Sequence, residues 1–173
     1  MDRQALHRMI RVDQAGEFGA TRIYEGQLAV MGDRGPHSAE IRHMAAQEAE
    51  HRKKFDALLA ERGVRPTALH PFWSAAGYVL GAGTALLGPE AAMACTAAVE
   101  TEIDKHYSDQ LEALEASGAD PELAAIIEEF REEEREHRDS ALANGAERAP
   151  AYPLLAGAIR LGCRIAIKVS ERI

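Results

Sequence analysis

Apolar residues recur at three- and four-residue spacing along most of the chain, the interval that places them on one face of an α-helix. The recurrence breaks at a few points rich in Gly, Pro, Asp and Asn. Gly32-Asp33-Arg34-Gly35-Pro36 closes a first helix over about 4–31, and Gly63 with Pro66 closes a second over about 38–62. Gly88-Pro89-Glu90 and Asp120-Pro121-Glu122 put Pro and an acid into a first turn, opening helices over about 90–117 and 121–144. Asn144-Gly145 has the chemistry of a helix end. Between them lies an apolar, glycine-rich helix over about 72–87, and after Pro150 and Pro153 a last helix is expected over about 154–173. No segment alternates as a half-buried strand does. The expected class is all-α, in one domain.

The stripes carry residues that do not belong in an ordinary core. On the first helix the stripe reads Ile10, Asp13, Glu17, Ala20, Tyr24, Leu28, Met31. On the second it reads Ile41, Met44, Glu48, His51, Phe55, Leu58. On the helix over 90–117 it reads Met93, Thr96, Glu100, Ile103, Tyr107, Leu111, Leu114. On that over 121–144 it reads Leu123, Ile127, Phe130, Glu134, His137, Ala141. A lone Glu on one helix is thus followed, one hairpin later, by Glu-x-x-His, and the arrangement occurs twice. Two helix hairpins joined by a crossover helix have the connectivity of a ferritin-like four-helix bundle.

Burying four carboxylates without compensation costs several kcal/mol for each ionised group. Two divalent cations would neutralise them, and four Glu with two Glu-x-x-His pairs is the di-iron or di-manganese carboxylate pattern. Residues i and i+3 lie on adjacent turns of one face, so each Glu and His can reach one metal. Mixed carboxylate and imidazole ligands suit Fe(II) and Mn(II). The motif alone is weak, since Glu40-Ile41-Arg42-His43 is a third copy. That copy is rotated roughly 80° from the Glu48 face and is read as surface. The other acids of residues 132–136 are read as a solvated face.

Composition narrows the function further. A net charge of −8 leaves no excess of cations to neutralise phosphates, so no nucleic-acid partner is expected. Cys95 and Cys163 are isolated in apolar stretches and form no framework for a disulfide fold or a thiolate zinc site. The leading MDRQALHRMIRVD has no apolar h-region, so no secretory signal is expected. No Gly-rich dinucleotide motif is present, so any NADH would act without a Rossmann domain.

The segments RVDQAGEFGA (11–20), QEAEHRKKF (47–55) and MACTAAVE (93–100), with His106-Tyr107, resemble the demethoxyubiquinone hydroxylase family over essentially the whole chain. The resemblance implies a di-iron monooxygenase of ubiquinone biosynthesis that inserts one atom of O2 into the ring of a polyprenylated quinol. It implies that Glu17, Glu48 and His51 bind one iron and that Glu100, Glu134 and His137 bind the other. Glu48 and Glu134 would bridge the two ions. His106 and Tyr107 would lie near the substrate and the electron path, although His106 is off the Glu100 stripe. It further implies NADH or another external reductant and a lipid-binding accessory protein. The oligomeric state is left open, a homo-oligomer included.

Two segments fit a membrane surface. Residues 71–89 (PFWSAAGYVLGAGTALLGP) carry no charge, yet their glycines and alanines make a spanning helix a poor reading and a partly lipid-facing crossover a better one. In the last helix Arg160, Arg164, Lys168 and Arg172 form a basic stripe beside a broad apolar face, as a helix lying in an anionic interface does. The expected place is the periphery of the cell's inner membrane on its cytoplasmic face, or the matrix face of the mitochondrial inner membrane for an organellar protein. The competing readings are a di-iron peroxidase or hydroxylase of another substrate, and iron storage. The missing Cys-rich iron site weighs against the rubrerythrin-like peroxidase, and the greasy last helix against a storage cage.

Overall fold

The computed structural model describes residues 1–172. Six helices run α1 (Arg3–Met31), α2 (Ser38–Arg62), α3 (His70–Leu86), α4 (Pro89–Ser117), α5 (Pro121–Ala143) and α6 (Tyr152–Ser170), with a 3-10 turn at Ala146–Arg148 and no strand among the described residues. The Asp2 side chain caps α1 by accepting from Ala5 N at 2.8 Å, and Asp120 caps α5 by accepting from Leu123 N at 3.1 Å. Gly63 ends α2 in the left-handed conformation that costs glycine nothing. Two starts lie upstream of expectation: α3 opens at His70 and α6 at Tyr152, two residues before Phe72 and Leu154. Pro71 and Pro153 therefore sit inside first turns, where a missing N–H breaks no bond, rather than ahead of them. α6 ends at Ser170, and the expected end at Ile173 lies outside the described residues.

Cross-helix hydrogen bonds give the topology. Tyr24 meets Met44 and Gln14 meets Asp56, so α1 and α2 are antiparallel. Arg138 meets Asp104 and Arg131 meets Ser108, so α4 and α5 are antiparallel as well. α3 returns the chain alongside α1 in the same direction, which lets α2 and α4 run the same way. The result is a ferritin-like bundle of α1, α2, α4 and α5 with α3 and α6 laid on its flank. α3 approaches α1 backbone to backbone: a Cβ on Gly26 would run into the Tyr78 carbonyl oxygen, and one on Gly81 into that of Ile23.

The stripes face inward. Ile41, Met44, Phe55 and Leu58 on α2, and Leu123, Ile127, Phe130 and Ala141 on α5, are all buried. The flank is different. α3 buries Gly77, Gly81, Thr84 and Ala85 but exposes Phe72, Val79 (68%) and Leu86, and α6 exposes Leu154 (75%), Leu161 and Ile165. No helix among the described residues is long and apolar enough to cross a membrane. The basic stripe of α6 is not wholly free, because Glu102, buried on α4, accepts from Arg160 Nε at 2.6 Å and from Arg164 at 3.1 Å. Lys168 remains exposed.

Candidate metal centre

Glu17, Glu48, His51, Glu100, Glu134 and His137 converge in the middle of the bundle, each almost wholly buried. Two groups form: Glu17, Glu48, His51 and Glu134, and Glu48, Glu100, Glu134 and His137. Within each, the donor atoms all lie within 4.8 Å of one another. Glu48 and Glu134 belong to both. They face each other because α2 and α5 are antiparallel and place the same Glu-x-x-His step on facing stripes.

Each imidazole turns Nδ1 inward. His51 Nδ1 is 3.1 Å from Glu134 and 3.5 Å from Glu17, while His137 Nδ1 is 2.9 Å from Glu134 and 3.4 Å from Glu48. The outer nitrogens are held from behind: His137 Nε2 by Gln47 Oε1 at 3.0 Å and His51 Nε2 by the Glu133 carboxylate. Such partners fix which ring nitrogen is free for a metal and how the ring is turned. Glu133 was expected on the solvated face of 132–136, and this contact corrects that. One residue of rotation from Glu134 is enough to reach a ring from outside, a distinction helical spacing does not make.

Two phenols complete the lining. Tyr24 OH donates to Glu100 at 3.0 Å, and Tyr107 OH donates to Glu17. Burial, then the nearby carboxylates, push both hydroxyls well above the usual phenol range, so they stay protonated donors. Tyr24 carried no assigned role in the sequence. His106 does not reach the cluster. Its Nε2 lies 3.0 Å from the buried Asp13, which also accepts from Gln110 Nε2 at 2.8 Å.

The donor set fits divalent cations. Both carboxylate oxygens of Glu48 are buried without a hydrogen-bond partner among the described residues. Burial first, then repulsion from Glu134, Glu17 and Glu100, hold its carboxyl well above the usual range, and burial followed by Glu134 does the same to Glu100. Burial also pushes Glu134 up, but hydrogen bonds and charge from His137 and His51 outweigh it and leave it at about 2. In the metal-free cluster burial favours protonated Glu48 and Glu100, while Glu134 is paired with the imidazoles; a fully ionised cluster needs cations in its place. Two divalent ions balance four carboxylates.

Beside the centre lies a cavity of about 550 Å³ bounded by α1, α3, α4 and α6 and lined almost entirely by apolar side chains, Ile23, Trp73, Leu80, Ile103 and Ile159 among them. The bundle and its interior thus define a ferritin-like protein with buried Glu and His groups able to hold metal ions, beside an apolar cavity.

The sequence model of the family described as "Ubiquinone biosynthesis protein COQ7" matches residues 4–170. A 3-demethoxyubiquinol 3-hydroxylase of Rhodospirillum rubrum is 56% identical over 170 residues, covering 97% of this chain and 78% of that protein. An NADPH-dependent 3-demethoxyubiquinone 3-hydroxylase, mitochondrial, of Bos taurus is 50% identical over 175 residues, 100% of this chain and 80% of its own. A 5-demethoxyubiquinone hydroxylase, mitochondrial, of Saccharomyces cerevisiae is 43% identical over 182 residues, 97% of this chain and 78% of its own. The chain belongs to the COQ7 family of ubiquinone biosynthesis proteins, whose named relatives here are hydroxylases.

Proposed function

We propose that the protein hydroxylates the ring of a polyprenylated demethoxyubiquinol with O2, at two iron ions held in the buried centre. The observation that carries this reading is the pairing of a buried carboxylate cluster, whose Glu48 has no hydrogen-bond partner among the described residues, with an apolar cavity against the same two helices. Glu17, Glu48 and His51 would hold one ion and Glu100, Glu134 and His137 the other, with Glu48 and Glu134 shared. Bound iron supplies the redox chemistry that O2 requires.

The chain's own groups do the rest. Gln47 and Glu133 keep the imidazoles turned inward, and Tyr24 and Tyr107 pin one oxygen each of Glu100 and Glu17. Tyr107 places a protonated hydroxyl at the edge of the centre, suited to delivering a proton there. Apolar walls exclude water from the reacting ring and take up the prenyl tail. In the overall reaction one ring C–H becomes C–OH and the other oxygen atom leaves as water, consuming two electrons and two protons. A nicotinamide fits as electron source, since relatives from cattle and other animals are named NADPH-dependent. The exposed apolar faces of α3 and α6 suit peripheral docking on an inner membrane, where a prenylated quinol resides, and an accessory lipid-binding protein would meet the same face.

Iron-loaded protein given a demethoxyquinol, a reductant and O2 should form the ring-hydroxylated product. Glu100→Ala should abolish it. Tyr107→Phe should slow it roughly a hundredfold with iron content unchanged, the low end of the range for a lost proton donor. Iron-loaded, reducible protein that consumes O2 without quinol-dependent product would overturn the proposal.

A further inference from the structure

The cavity and the metal centre share one wall, the seam between α1 and α4. Gly16 and Ala20 on α1 and Val99 and Ile103 on α4 line the cavity. Glu17 and Glu100, the residues next to Gly16 and Val99, turn into the centre instead. Ile103, one turn after Glu100, packs against both the apolar cluster around Tyr107 and Phe130 and that around Cys95 and Val99. It thus lines the cavity on one side and packs on the other against the cluster of Tyr107, whose hydroxyl reaches Glu17.

Gly16 is not demanded by packing. A Cβ there would meet only Ile103 Cδ1, at 3.9 Å, an ordinary contact, and its φ is not positive. Gly26 and Gly81, by contrast, have neighbouring backbone where a Cβ would go. A glycine inside a helix destabilises it relative to alanine, so Gly16 carries a cost that no neighbour explains. What it does provide is width opposite Ile103.

We infer that Gly16 and Ile103 form the passage by which the ring of a prenylated quinol reaches the metal centre from the apolar cavity, with Gly16 holding it open. This rests on the function proposed above and adds to it a determinant of access. The tail stays in the cavity, against α3 and α6, and only the flat ring enters the seam. Trp73 lines the same cavity and is the chain's one tryptophan, so it reports occupancy independently of turnover.

The test compares wild type, Gly16→Leu, Ile103→Phe and the exchange pair Gly16→Leu with Ile103→Ala, each loaded with iron. Three quantities are read: iron per chain, quenching of Trp73 by a short-tailed demethoxyquinone, and hydroxylated product. Gly16→Leu and Ile103→Phe narrow the passage from opposite walls. Each should keep its iron and its quenching within about twofold while losing about a hundredfold in product, the scale of a misplaced reacting group. Adding Ile103→Ala to Gly16→Leu should restore most of the product, because the widths compensate. Normal turnover by both narrowed variants, or a loss that Ile103→Ala does not relieve, overturns the passage alone. Wild-type protein that hydroxylates no quinol overturns the functional reading and the passage with it.

Discussion

Between α1, α2, α4 and α5 the protein buries four carboxylates, two imidazoles and two phenols together, whereas on the flank α3 carries no Asp, Glu, Lys or Arg at all. The outer faces of α3 and α6 present Phe72, Val79, Leu86, Leu154, Leu161 and Ile165 instead. The first region has polar groups that its own neighbours do not satisfy, so it calls for cations from outside. The second has apolar surface that its neighbours do not cover, so it calls for an apolar partner. They meet at the α1–α4 seam, with Glu17 and Glu100 of the cluster on one side and cavity residues on the other. One helix pair thus separates the buried carboxylate cluster from the apolar cavity.

Removing a shared ligand should break the comparison most severely. Wild type grown with iron should carry about two iron ions per chain by elemental analysis, the number that six ligands of this pattern hold. Glu48→Ala or Glu134→Ala should lose most of both, since each carboxylate borders both groups. Full iron in both variants would show that the cluster is not the metal site. A smaller effect is expected behind the ligands. Glu133→Ala frees the outer nitrogen of His51 and should weaken iron binding about ten- to a hundredfold in a chelator competition, with the fold intact. Unchanged affinity would make the Glu133 contact incidental.

The flank should answer to a different assay. Leu161→Asp with Ile165→Asp should move the protein from sedimented anionic vesicles to the supernatant and leave its iron unchanged. Salt should weaken binding of the parent only modestly. Each cation near an anionic surface is worth about 1 kcal/mol before screening, but Arg160 and Arg164 already face Glu102. Parent protein that ignores anionic vesicles would make the exposed face a protein contact.

The smallest effect is a pH slope in metal-free protein. Glu48 and Glu100 are raised by burial and by each other's neighbours, so both gain protons on folding. A raised carboxyl stabilises most below its ordinary 4.5 and loses that contribution as pH climbs through the folded value. His51 is lowered by burial, but its carboxylate partners win and lift it to about 11, and it acts in the same direction. Glu134, at about 2, loses its contribution only below its ordinary 4.5. The melting temperature of metal-free protein should therefore rise as pH falls from about 8 towards 5, and metal binding should remove or invert that slope because it needs deprotonated ligands. A metal-free melting temperature that falls over that range would contradict the charge assignment.

Helical periodicity made the bundle and its cluster legible, because a core stripe is a property of one helix at a time. Glu48, His51, Glu134 and His137 are separated from their apolar stripe-mates only by chemistry, and that anomaly is visible in the sequence. What periodicity does not contain is pairing between helices. Glu133 reaching His51, Glu102 taking up Arg160 and Arg164, and Asp13 holding His106 all depend on which helix lies opposite. Residues one step off a stripe can point along a seam, and the sequence does not say which seam exists. The cavity was illegible for the same reason, since Gly16 and Ile103 meet only after α1 and α4 are docked.

Isotope incorporation tests the central claim most directly. Iron-loaded protein is supplied with a demethoxyquinol and reductant under labelled O2, and the quinone product is examined by mass spectrometry. The account predicts one labelled oxygen atom in the new ring hydroxyl and none when the label is in water. Unlabelled product, or O2 consumed with the quinol recovered unchanged, would contradict it.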